Sequence, residues 1–509
     1  MSAMTESGER RVWAGAAGLA SIVTALWMDL SPLHAFHTSD SLIPILSGLY
    51  LWTPFFWEQN RYGSLIPLLS LPVDSPFHNL LFQVGLRLLA VAAAFFLMAR
   101  TVVPRRYWPA VGALTLALWV AGKGMEDHAF QQMQPYGQAI ALSLGGILLI
   151  DRGGWARVAA GLGLLLLGYW ISATTLFWLL PLVWVRDMVG IEPLAPETVR
   201  WHLRPERRTV LVMLALFLAF DFSMLVSWLS VYSRSTAFGA ARPGVWPEAW
   251  MTLFSRSVEY LSPALVGTGL ALLVAAIVIG SRAWERRLAM AVGLCLVAAA
   301  LADLGVMGTT YWAQVNKWSL RYVSVELLTL GLLAPAVLLA LVLEGRPARW
   351  HRTANVLALL LLVPALAWTY GMPSAARARA SIDELSGDSE AVLASGAGHV
   401  LGGYWRTWPT VFRADILRWE RGDRRPVWAI ALRSGPTDPI WRPKSWAGVP
   451  IAVLAGNEVS AEDMRQIAFL PQLYRQKDLG DVFLYTATPT GGPSLSAVAE
   501  AVRNGRPRP

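Results

Sequence analysis

The chain has 509 residues, of which 55% are hydrophobic and only 15% charged, with 25 tryptophans and a formal net charge of +9. A soluble domain carries about 25% charged residues, so this composition excludes an ordinary soluble enzyme and points to a chain that meets hydrocarbon. The single cysteine excludes an internal disulfide and a cysteine metal site, and the positive charge gathers in short loops between apolar runs, where membrane orientation explains it better than nucleic acid.

Taken in chain order, apolar runs of about 20 residues predict spans. They lie near 12–30, 80–98, 107–121, 138–150, 158–172, 174–185, 210–231, 264–280, 288–307, 323–343 and 355–370. No small-residue cleavage site follows the first, so it reads as a helix that stays. The fifth and sixth are short and share the turn 171–175. Arginines fall in every other loop: Arg10 and Arg11 before the first span, then Arg100, Arg105 and Arg106, then Arg152 and Arg157. Arg186, Arg200, Arg204, Arg207 and Arg208 follow the sixth span, Arg282, Arg286 and Arg287 the eighth, and Arg346, Arg349 and Arg352 the tenth. The positive-inside rule then puts the N-terminus in the cytoplasm of a bacterium, in a multi-pass inner-membrane protein whose odd count of about eleven spans leaves the C-terminus outside. Merging the fifth and sixth spans would break the alternation.

The outer loops have a different character. Residues 31–79 are long, apolar and aromatic, and prolines interrupt them, which fits short helices lying in the interface. Loops at 122–136, 232–263 and 309–322 follow on the same side. After Tyr370 charged residues become frequent and apolar runs shorten to strand length at 427–432, 449–454 and 482–485, with a helix at 461–468. The fold class is mainly α: a polytopic membrane helical bundle over residues 1–371, and a small extracytoplasmic α/β domain over 372–509, roughly 110–130 ordered residues.

Several residues in the outer loops carry chemistry in more than one reading. Asp40, about ten residues past the first span, is placed to act as a general base on a hydroxyl, or with Ser39 to cap the helix that starts near Leu42. Glu126 and Asp127 beside His128 form a ligand set for a divalent cation, or a solvated loop. Gln131, Gln132, Gln134, Tyr136 and Gln138 suit sugar hydroxyls, or cap helices and line the interface. Arg61, Lys317 and Arg321 are cations on the side where cations are scarce. They fit phosphate oxygens, or they snorkel. Lys317 and Arg321 are four apart and share a face if helical. Within spans, Arg87, Asp221, Asp303 and Glu326 stand out, with Arg87 and Asp221 as a candidate bridge. Tyr404, Trp405 and Trp408 in the tail stack on sugars or belong to a core. No phosphate-binding glycine loop of the nucleotide-motor type occurs, and Gly161 and Gly163 lie in a span, where they favour helix packing.

Asp40 in a long outer loop directly after the first span, a second acidic element at Glu126-Asp127, and Arg321-Tyr322 opening a late span together carry a resemblance. The layout resembles the GT-C superfamily of integral-membrane glycosyltransferases, which includes protein O-mannosyltransferases and bacterial aminoarabinose transferases. The chain departs from the best-known pattern in having Asp40-Ser41 where an Asp-Glu pair is usual, and its tail, with Gly402-Gly403-Tyr404-Trp405-Arg406-Thr407-Trp408-Pro409, suggests a separate bacterial branch. The resemblance implies an inverting enzyme that moves a sugar from a polyprenyl-phosphate carrier to an extracytoplasmic acceptor: a cell-envelope glycan, lipid or protein. It implies Asp40 as the base, and Glu126, Asp127 and His128 toward the acceptor or a divalent cation such as Mg or Mn. Lys317, Arg321 and Arg61 would hold the carrier phosphate, and Gln134, Tyr136 and Tyr322 the sugar. Partners are then the lipid-linked sugar, the acceptor and membrane lipids, with no nucleic acid. A lipid or solute transporter is the alternative, and a scaffold displaying the tail a third. No internal repeat supports the transporter, and the polar residues crowd one side of the membrane, as a one-sided active site requires.

Overall fold

The computed structural model describes residues 6–31, 38–56, 59–103, 106–122, 135–172, 175–188, 241–280, 287–315, 324–432, 450–454, 473–478 and 482–487, together with scattered helical positions between 209 and 225. Among these, four helices are long and apolar enough to cross a membrane, including Gly8–Asp29, Pro76–Val102 and Leu288–Thr309, and four shorter apolar helices accompany them. The protein is a polytopic helical membrane protein.

The membrane part comprises α1 (Glu6–Asp29), α2 (Ser39–Tyr50), the strands β1 (Phe55–Phe56) and β2 (Gln59–Gly63), α3 (Leu65–Ser70), α4 (Pro76–Val102), α5 (Trp108–Ala121), α6 (Tyr136–Asp151), α7 (Trp155–Ile171) and α8 (Thr175–Met188). It continues with α9 (Trp246–Leu261), α10 (Pro263–Gly280), α11 (Arg287–Thr309), α12 (Tyr311–Val315), α13 (Ser324–Leu343) and α14 (Ala348–Tyr370). Proline sets several starts, since its missing N–H is not needed there. Pro76 opens α4 behind Ser75, whose side chain caps the amide of His78. These helices overlay ten of the spans expected from the sequence. The one expected at 210–231 lies largely outside the described residues.

The ends of the first and last long helices fix the two faces of the bundle. At one face Arg352, in the first turns of α14, grips Glu9 of α1 through Nε at 2.9 Å and Nη2 at 3.2 Å. Arg106, just before α5, lies 3.8 Å from the same carboxylate, and Asn355 ties the start of α5 to α14 through Arg106 O and Ala110 N. At the other face the indole of Trp27 donates to Gly371 O at 2.8 Å, and Ser374 N donates to Leu30 O at 2.7 Å. The two helices are therefore parallel, and the tail leaves the bundle at the face opposite the N-terminus.

Small residues let the helices close up. A Cβ on Gly146 of α6 would meet the carbonyl of Gly161 on α7 at 2.6 Å, and one on Gly161 would meet that of Gly146 at the same distance. Gly161 thus packs helix on helix as its position in a span suggests. Arg186 at the end of α8 is buried and donates to both carboxylate oxygens of Asp151 on α6, at 2.9 and 3.1 Å, with Asp187 at 3.5 Å. Arg87 is likewise buried on α4, whereas Asp221 is exposed, so the bridge suggested between them joins two different environments.

Two outer loops hold more structure than the sequence suggests. Within residues 31–79 the expected interfacial helices are α2 and α3, but an antiparallel β1–β2 pair separates them. Residues 246–261, read as loop, form α9. Its buried Ala249, Leu253, Ser257 and Leu261 recur every four residues, and the helix turns through 102° into α10 at Ser262, whose φ is 72°.

The tail contains α15 (Ala375–Asp383), α16 (Asp388–Ser395), β3 (His399–Gly403), α17 (Tyr404–Glu420), β4 (Trp428–Leu432), β5 (Pro450–Leu454), β6 (Leu473–Asp478) and β7 (Val482–Ala487). One sheet runs β4-β3-β5-β7-β6, with β3 parallel to β4 and β5, and β7 antiparallel to β5 and β6. The interior strand β3, between β4 and β5, escapes sequence reading because two glycines end it. Gly402 is required there: a Cβ would meet Thr407 Oγ1 at 2.9 Å and Leu454 Cβ at 3.0 Å. Residues 461–468 lie outside the described residues.

Candidate functional site

Asp40 stands in the first turn of α2, at the face of the bundle opposite the arginines, and is 2% exposed. A carboxylate is favoured there by the helix dipole. It is not the helix cap: Thr38 occupies the cap position, and its hydroxyl reaches Ser41 Oγ at 3.2 Å. Pro44 lies one turn on and offers no amide to the Asp40 carbonyl, so α2 is irregular at its start. The helix is held from beneath. Gln83 of α4 donates to Pro44 O at 3.3 Å and to Ser70 Oγ of α3 at 2.9 Å, and Gly48 leaves room for both Gln83 and Ser70 to approach.

The tail closes over the same helix. Parallel sheets present functional groups at the carboxyl ends of their strands. At the end of β3 the chain enters α17 without a loop, and the first residue of α17, Tyr404, meets Asp40. Its hydroxyl donates to Asp40 Oδ1 at 2.6 Å, while Ser39 Oγ donates to the Tyr404 carbonyl at 2.8 Å. Further along, α2 and α17 stay together. Tyr50 packs edge-on to Trp428, ring centroids 5.6 Å apart, and its hydroxyl faces Asp415. Burial pushes the Asp415 carboxyl up to about 8, against the opposing pull of the Val427 amide at 2.8 Å, the Tyr50 hydroxyl and Arg418. Burial also raises the Tyr50 phenol, and the neighbouring Asp415 adds to it.

Of the tail aromatics, Tyr404 and Trp408 are buried, and Trp405 is half exposed, edge-on to Tyr404 at 5.0 Å. Trp408 is therefore a core residue, and Trp405 remains open to a ligand.

The other expected site residues are only partly described. Tyr136 is the first residue of α6 and is buried. Arg61 lies on β2, whose last residue, Gly63, abuts Trp170 near the end of α7. Glu126, Asp127, His128, Gln134, Lys317, Arg321 and Tyr322 lie outside the described residues. Their flanks are informative. The α5 end at Ala121 and the α6 start at Tyr136 lie away from the face where Asn355 holds the start of α5 and Arg186 holds Asp151 at the end of α6. The start of α13 at Ser324 is likewise remote from its end, where His351 Nε2 contacts Leu343 O. The end of α5 and the start of α13 therefore lie away from the face of the Glu9–Arg352 contact. Among the described residues, no three His, Cys, Asp or Glu side chains gather to hold a metal ion.

No protein-family model matches the sequence, and no curated protein is similar to it. Solved structures are. The fold is similar to that of ArnT from Cupriavidus metallidurans bound to undecaprenyl phosphate, with 10% identity, a TM-score of 0.45, and coverage of 96% of this chain and 100% of that one. The apo structure of the same ArnT aligns over the same shares at 11% identity and a TM-score of 0.42.

Proposed function

We propose that the protein is a membrane glycosyltransferase that transfers a sugar from a polyprenyl-phosphate carrier to a hydroxyl acceptor outside the cytoplasm, with Asp40 as general base. The observation that carries this reading is the placement of Asp40. It is a buried carboxylate at the start of an interfacial helix, enclosed between the bundle and the tail, on the face that the arginine-rich loops avoid. The positive-inside rule makes that face extracytoplasmic, with the N-terminus inside. No nucleotide is required there, because a lipid phosphate is itself a good leaving group.

In this mechanism the acceptor hydroxyl gives its proton to the Asp40 carboxylate. The acceptor oxygen attacks the anomeric carbon, and the bond from that carbon to the phosphate oxygen breaks. The electron pair leaves with the polyprenyl phosphate. One displacement inverts the anomeric centre. Lys317 and Arg321, with Arg61, supply the cations that the departing phosphate needs. Glu126, Asp127 and His128 orient the acceptor or a divalent cation, and Gln134, Tyr136 and Tyr322 face the sugar.

The test is release of undecaprenyl phosphate from undecaprenyl-phosphate mannose, glucose and aminoarabinose by the purified protein in nanodiscs, with cell-envelope extract as acceptor. Asp40→Asn keeps the shape and removes the base. It is expected to lower the rate by about 10²–10⁴-fold while the protein stays folded. Wild-type turnover in Asp40→Asn, or no turnover of any lipid-linked sugar by the wild type, counts against the reading.

A further inference from the structure

The tail contributes a side chain to the site, and the chemistry of that side chain suggests a task. Resting on the transferase reading, we propose that Tyr404 is a positioning residue for the base: its hydroxyl holds Asp40 Oδ1 and so aims the carboxylate at the acceptor, making the tail domain a component of the active site.

Three features support this. The first is the bond itself, which at 2.6 Å is at the short end of the range for O–H donors. A carboxylate has two oxygens, and fixing one fixes the direction of the other. The second is that the contact is made at two points. Tyr404 gives a hydrogen bond through its hydroxyl to residue 40 and receives one at its carbonyl from residue 39, so the tyrosine and the helix start cannot turn independently.

The third is that Tyr404 stands on a rigid base. It follows the carboxyl end of β3 directly, a strand paired on both sides by β4 and β5, where Gly402 is pressed against Thr407 and Leu454. Further along, Asp415 of α17 and Trp428 of β4 meet Tyr50 at the end of α2. Two helices fastened at two places leave the first turn of α2 little room to rotate. Sites that must hold a reacting group to within a fraction of an ångström are built on such rigid elements.

Tyr404 keeps its proton throughout. The acceptor proton goes to Asp40, and the tyrosine only orients the group that takes it. A residue of this kind changes the rate of the chemical step and leaves carrier binding alone. A tyrosine that merely fastens the tail to the membrane domain changes stability and leaves the rate alone.

The experiment uses the full chain in nanodiscs with the same undecaprenyl-phosphate sugars, and compares wild type, Tyr404→Phe and Asp40→Asn. Tyr404→Phe is expected to lower kcat by about ten- to a hundredfold, with KM for the lipid-linked sugar unchanged within about twofold. Where Tyr404→Phe fails to fold, 3-fluorotyrosine incorporated at position 404 replaces it: the shape is kept, the O–H becomes a stronger donor, and kcat is expected to move with Tm unchanged. A Tyr404→Phe enzyme with wild-type kcat beside an inactive Asp40→Asn overturns the positioning role and leaves the transferase standing. Wild-type activity in Asp40→Asn overturns the transferase reading itself.

Discussion

The hydroxyl of Tyr404 reaches Oδ1 of Asp40 at 2.6 Å, joining residues 364 positions apart in the chain. One belongs to the first helix after the first span, the other to the first turn after the interior strand β3 of the tail sheet. The bond makes the tail part of the surroundings of Asp40, and it brings the buried Asp415 of the same helix under Tyr50.

Asp415 makes the junction between tail and α2 sensitive to pH. Its carboxyl is pushed up to about 8 by burial, from an ordinary value of 3.8. A carboxyl raised in the folded state leaves stability intact below its unfolded value and removes it as pH climbs through the folded one. Wild-type stability should therefore decline between about pH 4 and pH 8, by up to a few kcal/mol. Asp415→Asn, which keeps an acceptor for the Val427 amide and cannot ionise, should flatten that decline. Thermal unfolding of the full chain in nanodiscs across this window checks it, and a Tm difference between variant and wild type that is independent of pH would refute it.

Arg186 should be costly to remove. It is 1% exposed, binds Asp151 through two bonds and lies beside Asp187, so truncation takes a buried cation away from two carboxylates. Breaking a buried pair in this way costs about 3–5 kcal/mol. Arg186→Met is expected to melt well below wild type in detergent, and the double variant Arg186→Met/Asp151→Asn to recover part of the loss. A single variant that melts with the wild type would show that the cluster contributes nothing to stability.

The sequence made the membrane architecture legible because hydrocarbon imposes simple demands. Runs of about 20 apolar residues and the placement of arginines are local signals. Asp40 stood out in the sequence as a carboxylate in an aromatic loop, and its burial in the first turn of α2 was not visible there. What escaped was non-local or ambiguous. The β3 strand ends in two glycines that favour no strand, yet packing against Leu454 demands one of them. The α9 helix was hidden by Pro247 and its mixed polarity, since it has neither the length nor the uniform apolarity of a span. The Tyr404–Asp40 bond could not be found from spacing at all. Its only trace was an aromatic cluster that suited sugar stacking equally well, and burial then divided that cluster, taking Trp408 into the core and leaving Trp405 half exposed.

The most direct test of the account is a cryo-EM structure of the protein in nanodiscs with undecaprenyl phosphate. The expected result places the lipid phosphate on the face of Asp40, held by Lys317 and Arg321, with the Asp40 carboxylate facing the same cavity and still bonded to Tyr404. A phosphate lodged instead among the arginines of the Glu9–Arg352 face, with Asp40 remote from the lipid, would contradict the account.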